Sequence, residues 1–111
     1  MPRPRKCRKI CCKPSTTLFK PAGIAATLLE QVTLTVDEFE SIRLADQLGL
    51  YQKQAADQMQ VSRQTFGNIL SSARKKIADA LVNSKALRIN GGNVEMGKHS
   101  PGCGHLTDTK D

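Results

Sequence analysis

Apolar side chains at Phe66, Ile69, Leu70, Ala73, Ile77, Ala80 and Leu81 recur at the spacing of one helical face, and Ser62 stands just before them with an oxygen able to cap a helix. A stripe so narrow and so long must be covered by other elements, so the segment after Ser62 reads as the longest helix of a packed bundle. A shorter helix is expected ahead of it, over Gln52 to Met59, with Ala55 and Met59 facing inward and small Ala56 where the two helices come closest. Val61 would plug the turn between them. In two-helix units of this kind the turn commonly holds a left-handed glycine; here Gln60 occupies that place, at a strain cost of about 1 kcal/mol.

A further helix is expected from about Val36 to Leu48, with Val36, Phe39, Ile42, Ala45 and Leu48 inward and Gly49 ending it. Thr35 and Glu38 form a Thr-x-x-Glu capping box at its start. Asp37, Glu38 and Glu40 are thereby explained by the cap and the helix dipole rather than by acid-base catalysis. Beyond the helices, Ala86 to Ile89 reads as a short strand, paired with the extended segment around Leu18 and Phe19. The fold class expected is mainly α: a three-helix helix-turn-helix domain with an extended basic N-terminal arm and a flexible C-terminal tail. Its divisions fall at residues 1–34, 35–82 and 83–111.

The first twenty residues carry Arg3, Arg5, Lys6, Arg8, Lys9, Lys13 and Lys20 and no acid, with Pro2, Pro4 and Pro14 between them. Over the whole chain 17 Lys and Arg face 10 Asp and Glu, a net charge of +7, which favours a polyanionic partner. One Tyr, three Phe and no Trp leave few platforms for stacking single-stranded bases, so duplex DNA fits the composition better. No apolar run suits a secretory signal or a membrane span, and a cytoplasmic protein is expected.

On the outward face of the last helix stand Gln64, Asn68, Ser71 and Lys75, flanked by Arg63 and Arg74. Glutamine and asparagine pair bidentately with adenine in the major groove, so Gln64 and Asn68 are the expected base readers. Thr65 and Ser71 could meet phosphate or base edges, and Arg63, Arg74, Lys75 and Lys76 suit phosphates. Arg3, Arg5 and Lys6 of the arm would add groove or phosphate contacts. Symmetric modules of this class often bind two half-sites, so a homodimer is weighed, although the core consumes most apolar positions.

Cys7, Cys11 and Cys12 cluster near the start, and Cys103 with His99 and His105 near the end. In a reducing cytosol disulfides are not expected, whereas zinc or an iron-sulfur cluster is chemically feasible at Cys7, Cys11 and Cys12. The spacing matches neither a zinc knuckle nor a ferredoxin run, so no cofactor is assigned. Cationic neighbours would favour the thiolates and make them redox-reactive. No phosphate loop, nucleophile elbow or His-Glu-x-x-His stretch is present, so neither an enzyme nor a small-molecule substrate is expected.

Five blocks occur in one order: MPRPRKCRKI at the start, FKPAG at 19–23, LTVDEFESIRLAD at 34–46, VSRQTFGNILSSARKKIADAL at 61–81 and KALRINGG at 85–92. On these the chain resembles uncharacterised protein family 0251, also called domain of unknown function 134, a group of prokaryotic predicted DNA-binding proteins. Residues 49–81 also resemble region 4 of sigma factors, which reads promoter DNA in the major groove. The resemblance implies a transcription-related DNA binder, and cysteines near the start of its members direct attention to Cys7 and Cys11. The expected function is therefore a transcriptional regulator that reads duplex DNA. The alternatives are a metal or redox sensor using the N-terminal cysteines, and a helix-turn-helix adaptor that binds protein.

Overall fold

The computed structural model describes residues 8–11, 14–92 and 94–96. Along the chain run strands β1 (Arg8–Ile10) and β2 (Leu18–Phe19), a 3-10 turn (Ala26–Leu28), strand β3 (Gln31–Leu34) and helix α1 (Val36–Ile42), which a π-helical segment (Arg43–Gln47) continues. Helices α2 (Gln52–Met59) and α3 (Arg63–Val82) follow, then strands β4 (Ala86–Ile89) and β5 (Val94–Met96). About half of the described residues are helical, and the strands form two small sheets.

Local chemistry explains the helix boundaries. Glu38 N–H donates to Thr35 Oγ1 at 3.3 Å while Thr35 N–H donates to Glu38 Oε1 at 2.9 Å, so the expected capping box satisfies two otherwise unpaired backbone donors. Leu48 N–H reaches back five residues to the Arg43 carbonyl at 2.9 Å. That wider turn rotates the register: Leu44 is fully buried, whereas Leu48, expected inward, is 52 % exposed. Gly49 then ends the helix with φ +74°, as its position predicts.

Helices α2 and α3 lie where the spacing places them. Between them Gln60 adopts φ 58°, ψ 45°, the left-handed conformation anticipated from its position. Ser62 Oγ accepts from Thr65 N–H at 3.0 Å and starts α3. Because the Gln60 side chain is exposed, Gln60→Gly removes backbone strain at little cost in contacts. It should raise stability by about 0.5–1 kcal/mol, read as a higher urea midpoint with unchanged slope.

The core has two parts, and α3 joins them. Its first half contributes Phe66, Ile69 and Leu70 to a cluster with Leu44, Ala55, Ala56 and Met59, against which Val61 also packs. Its second half contributes Ala73 to a cluster with Leu34 and Ile89, flanked by Val36, Phe39, Ile77 and Leu87. The second cluster exists because β4 is the central strand of a three-stranded sheet, antiparallel to β2 and parallel to β3. The expected pairing is present as Leu18 opposite Arg88 and Phe19 opposite Leu87. Leu81, expected on the buried stripe, is 77 % exposed, since the sheet covers α3 only as far round as Ile77 and Ala80.

The arm expected over residues 1–34 joins the fold from Arg8 onward. β1 pairs in parallel with β5, Ile10 is buried, and Arg8 Nη1 lies 3.7 Å from the Asp37 carboxylate. β3 pairs with β4 from Gln31 to Leu34. Basic, proline-containing composition signalled an extended chain but not the distant strands that hold it. Of the tail expected to be flexible, Val94–Met96 forms β5, and residues 97–111 lie outside the described residues. Among the described residues no helix is long and apolar enough to cross a membrane.

Candidate nucleic-acid interface

With Phe66, Ile69, Leu70 and Ala73 locked into the core, the opposite face of α3 is fixed in direction. Gln64, Asn68, Ser71 and Lys75 are all exposed there, at intervals of four, three and four residues that align them along the axis. Arg63 is exposed at the first position of the helix. From Gln58 to Ala78 the chain carries Arg63, Arg74, Lys75 and Lys76 and no acidic residue. The expected face is thus brought together on one rigid element, anchored by a buried aromatic ring.

Three of the expected contacts are engaged within the protein. Arg74 donates through Nε and Nη2 to the Asp46 carboxylate, at 3.1 and 2.6 Å. These hydrogen bonds hold the Asp46 carboxyl below its ordinary range and raise the guanidinium. Arg74 is therefore a tethered cation whose orientation Asp46 sets, not the unpaired phosphate contact expected. Thr65 is half-buried and its hydroxyl accepts from Ser62 Oγ at 2.9 Å, so it serves the cap first. Lys76 is drawn to Glu38 at 2.8 Å. Of the cations expected on this face, Arg63 and Lys75 are exposed and form no ion pair among the described residues, so they are open to an anion.

Sequence reasoning missed Gln52 and Asp46. A Cβ at Gly67 would meet Gln52 Oε1 at 3.4 Å, so the start of α2 presses its amide against α3 between Gln64 and Asn68. The signal was available: glycine inside a strong helical pattern marks a close approach. Asp46 carried no comparable signal, because only the tertiary fold brings the segment after α1 to Arg74.

Arg3, Arg5 and Lys6 lie outside the described residues, as do Cys7 and Cys12. Cys11 is disulfide-bonded, contrary to the expectation of reduced thiols, and in that state its sulfur is no thiolate ligand. The expectation rested on cellular compartment, which geometry does not register. Its backbone N–H donates to Glu40 Oε2 at 3.2 Å, and the same carboxylate takes Nε and Nη2 of Arg43, both at 2.8 Å. The end of β1 is thereby tied to α1. Among the described residues no three His, Cys, Asp or Glu side chains are grouped to hold a metal.

These features define a small basic protein of three helices and two small sheets, with an exposed polar stripe on its longest helix. The chain belongs to the family described as Protein of unknown function DUF134, whose model matches residues 1–97. It is 56% identical over 96 residues to a UPF0251 protein of Thermoanaerobacter sp. (strain X514), covering 86% of this chain and 85% of that one. A UPF0251 protein of Dehalococcoides mccartyi (strain BAV1) is 55% identical over 96 residues, covering 86% of this chain and 82% of the relative. One of Chlorobaculum tepidum is 49% identical over 110 residues, 95% of this chain but 56% of the longer relative. No solved structure matches the chain.

Proposed function

We propose that α2 and α3 form a helix-turn-helix resembling that of sigma factor region 4, and that the protein is a sequence-specific duplex-DNA binder acting in transcription. The observation that carries this reading is the exposed line of Gln64, Asn68, Ser71 and Lys75 on a helix held rigidly by Phe66, Ile69 and Leu70. Seated in the major groove, α3 would offer Gln64 and Asn68 to adenine edges and Arg63 and Lys75 to phosphates. Gln52, beside Gly67, adds a third amide at the same surface. The Asp46 carboxylate would hold the Arg74 guanidinium at the rim of the groove, a positioning role.

Selection from random duplexes at moderate salt tests the reading, and enrichment of no motif would overturn it. Asn68→Ala is expected to weaken the selected site by about 1–3 kcal/mol and to relax preference at one base pair, measured by competition binding. A second reading, redox control of the same activity, is favoured by the Cys11 disulfide at the end of a strand tied to α1. Running the selection with and without reductant separates them: identical affinity in both would remove redox control and leave the DNA reading intact.

A further inference from the structure

The outward side of α3 changes character along its length. Its first turns present amide, hydroxyl and cationic groups, but its last turns present Ala78, Leu81 and Val82, with Leu81 77 % and Val82 79 % exposed. Leu81 stands at the edge of an open groove of about 360 Å³, whose apolar floor comes from Ile77, Ala80, Leu87 and the 51 % exposed Phe19. Single exposed leucines are ordinary; exposed Leu81 and Phe19 meeting on one open groove, with exposed Val82 beside Leu81 on the helix, mark a surface that something covers.

The charges around the groove indicate the occupant. Lys20 and Lys85 line it, and Lys85 pairs with both Glu30 and Asp79, at 3.4 and 3.1 Å. The Glu30 side chain is 80 % exposed. Both signs thus sit on one apolar rim in a chain of net charge +7. A polyanion would be repelled by Glu30 and Asp79 and would gain nothing from Leu81 or Phe19. A two-fold copy, by contrast, turns the same mixed rim toward itself, so that Lys20 of one chain can face Glu30 of the other while the apolar floors meet.

We infer that this end of α3, with β2 and β4, is the interface of a two-fold dimer of the chain. The self-association stands on the patch alone; its use on DNA rests on the reading proposed above. Phe66, between the two amide readers, lies fifteen residues from Leu81, roughly 22 Å along a helix rising 1.5 Å per residue. Two copies joined at Leu81 hold their reading segments at most about 45 Å apart when collinear and closer when the helices are inclined, a reach that includes the roughly 34 Å separation of successive major grooves. The dimer joins the ends opposite to those that read, leaving Gln64 and Asn68 clear on both copies.

Sedimentation equilibrium of the full chain, without DNA and with reductant to exclude cross-linking through cysteine, is expected to give twice the 12.1 kDa chain mass at about 0.1 mM. Leu81→Glu combined with Val82→Glu should shift it to the single-chain mass while keeping wild-type helical circular dichroism, because both side chains face outward. Phe19→Ser, on the strand side of the groove, should weaken the dimer at least tenfold. A single-chain mass for the wild type overturns the inference without any variant, and a dimer insensitive to all three changes overturns the surface. The two proposals fail separately: a dimer that enriches no DNA sequence refutes the DNA reading alone, and a monomer that enriches an isolated half-site refutes the dimer alone.

Discussion

Phe66→Ala should cost about 3–5 kcal/mol, the range for deleting a buried ring whose cavity cannot collapse. Phe66 has no exposed surface and clusters with Leu44, Ala55, Met59 and Leu70, so from α3 it packs into the core shared with α2 and the segment after α1. Small neighbours make the site stiff: Ala55 and Ala56 bring helix backbones close and have no side-chain length with which to fill a void. For a domain of this size, with total stability of about 5–15 kcal/mol, the loss should lower the melting temperature by more than about 12 °C. Thermal denaturation followed at 222 nm measures it. A fall under about 1 kcal/mol would mean that the ring does not organise the pair of helices. On the proposed reading, the same variant should lose DNA binding only in proportion to unfolding and recover it at low temperature, whereas Asn68→Ala should lose binding while folded.

The second large effect is expected at Glu38. Its carboxylate lies between two helices: besides accepting from Thr35 N–H in the cap, it takes Ser72 Oγ at 2.6 Å and Lys76 Nζ at 2.8 Å from α3. Burial pushes its pKa up, but the hydrogen bonds from Lys76, Ser72 and Thr35 and the lysine charge outweigh this and hold it below the ordinary 4.5. Glu38→Ala keeps the backbone half of the capping box but removes its carboxylate and strands three donors, Thr35 N–H, Ser72 Oγ and Lys76 Nζ, and should cost about 2–4 kcal/mol in a urea titration at neutral pH. The pH dependence has a definite sign. Because the folded group binds its proton less readily than the unfolded one, its contribution is complete above about pH 4.5 and is lost as pH falls through the lower folded value. Glu38→Gln should therefore flatten the acid limb of the stability curve below about pH 4.5. An acid limb as steep as that of the wild type would assign the acid sensitivity to other carboxylates.

The helical part of this fold was legible because its signals are short-range. The Thr35–Glu38 box, the Gln60 turn and the Ser62 cap each depend on side chains within a few residues, and each is present with hydrogen bonds or dihedrals to match. The outward line from Gln64 to Lys75 was legible for the same reason: once Phe66 and Ile69 point inward, helical geometry fixes the rest. Leu48 was misplaced because a π-helical turn leaves no mark in a pattern read at 3.6 residues. Leu81 was misplaced because periodicity shows which residues share a face but not how far a neighbour covers it.

The first thirty-four residues show where such reading ends. Their charge and prolines announce an extended chain, yet β1 finds its partner at Val94–Met96 and β3 at Ala86–Ile89, both across the whole helical region. Likewise Arg74 looked available until the fold brought Asp46 beside it from 28 positions away.

Taken alone, the sequence determined the three helices, the caps of α1 and α3 and the polar stripe of α3, because i to i+4 spacing and capping chemistry act within a turn of the chain. Tertiary structure decided the two sheets, the pairing of Arg74 and Lys76, the direction of Leu44 and the exposure of Leu81 and Val82. Those outcomes depend on which distant segments meet, and the free energy of meeting is spread over surfaces that no local pattern encodes.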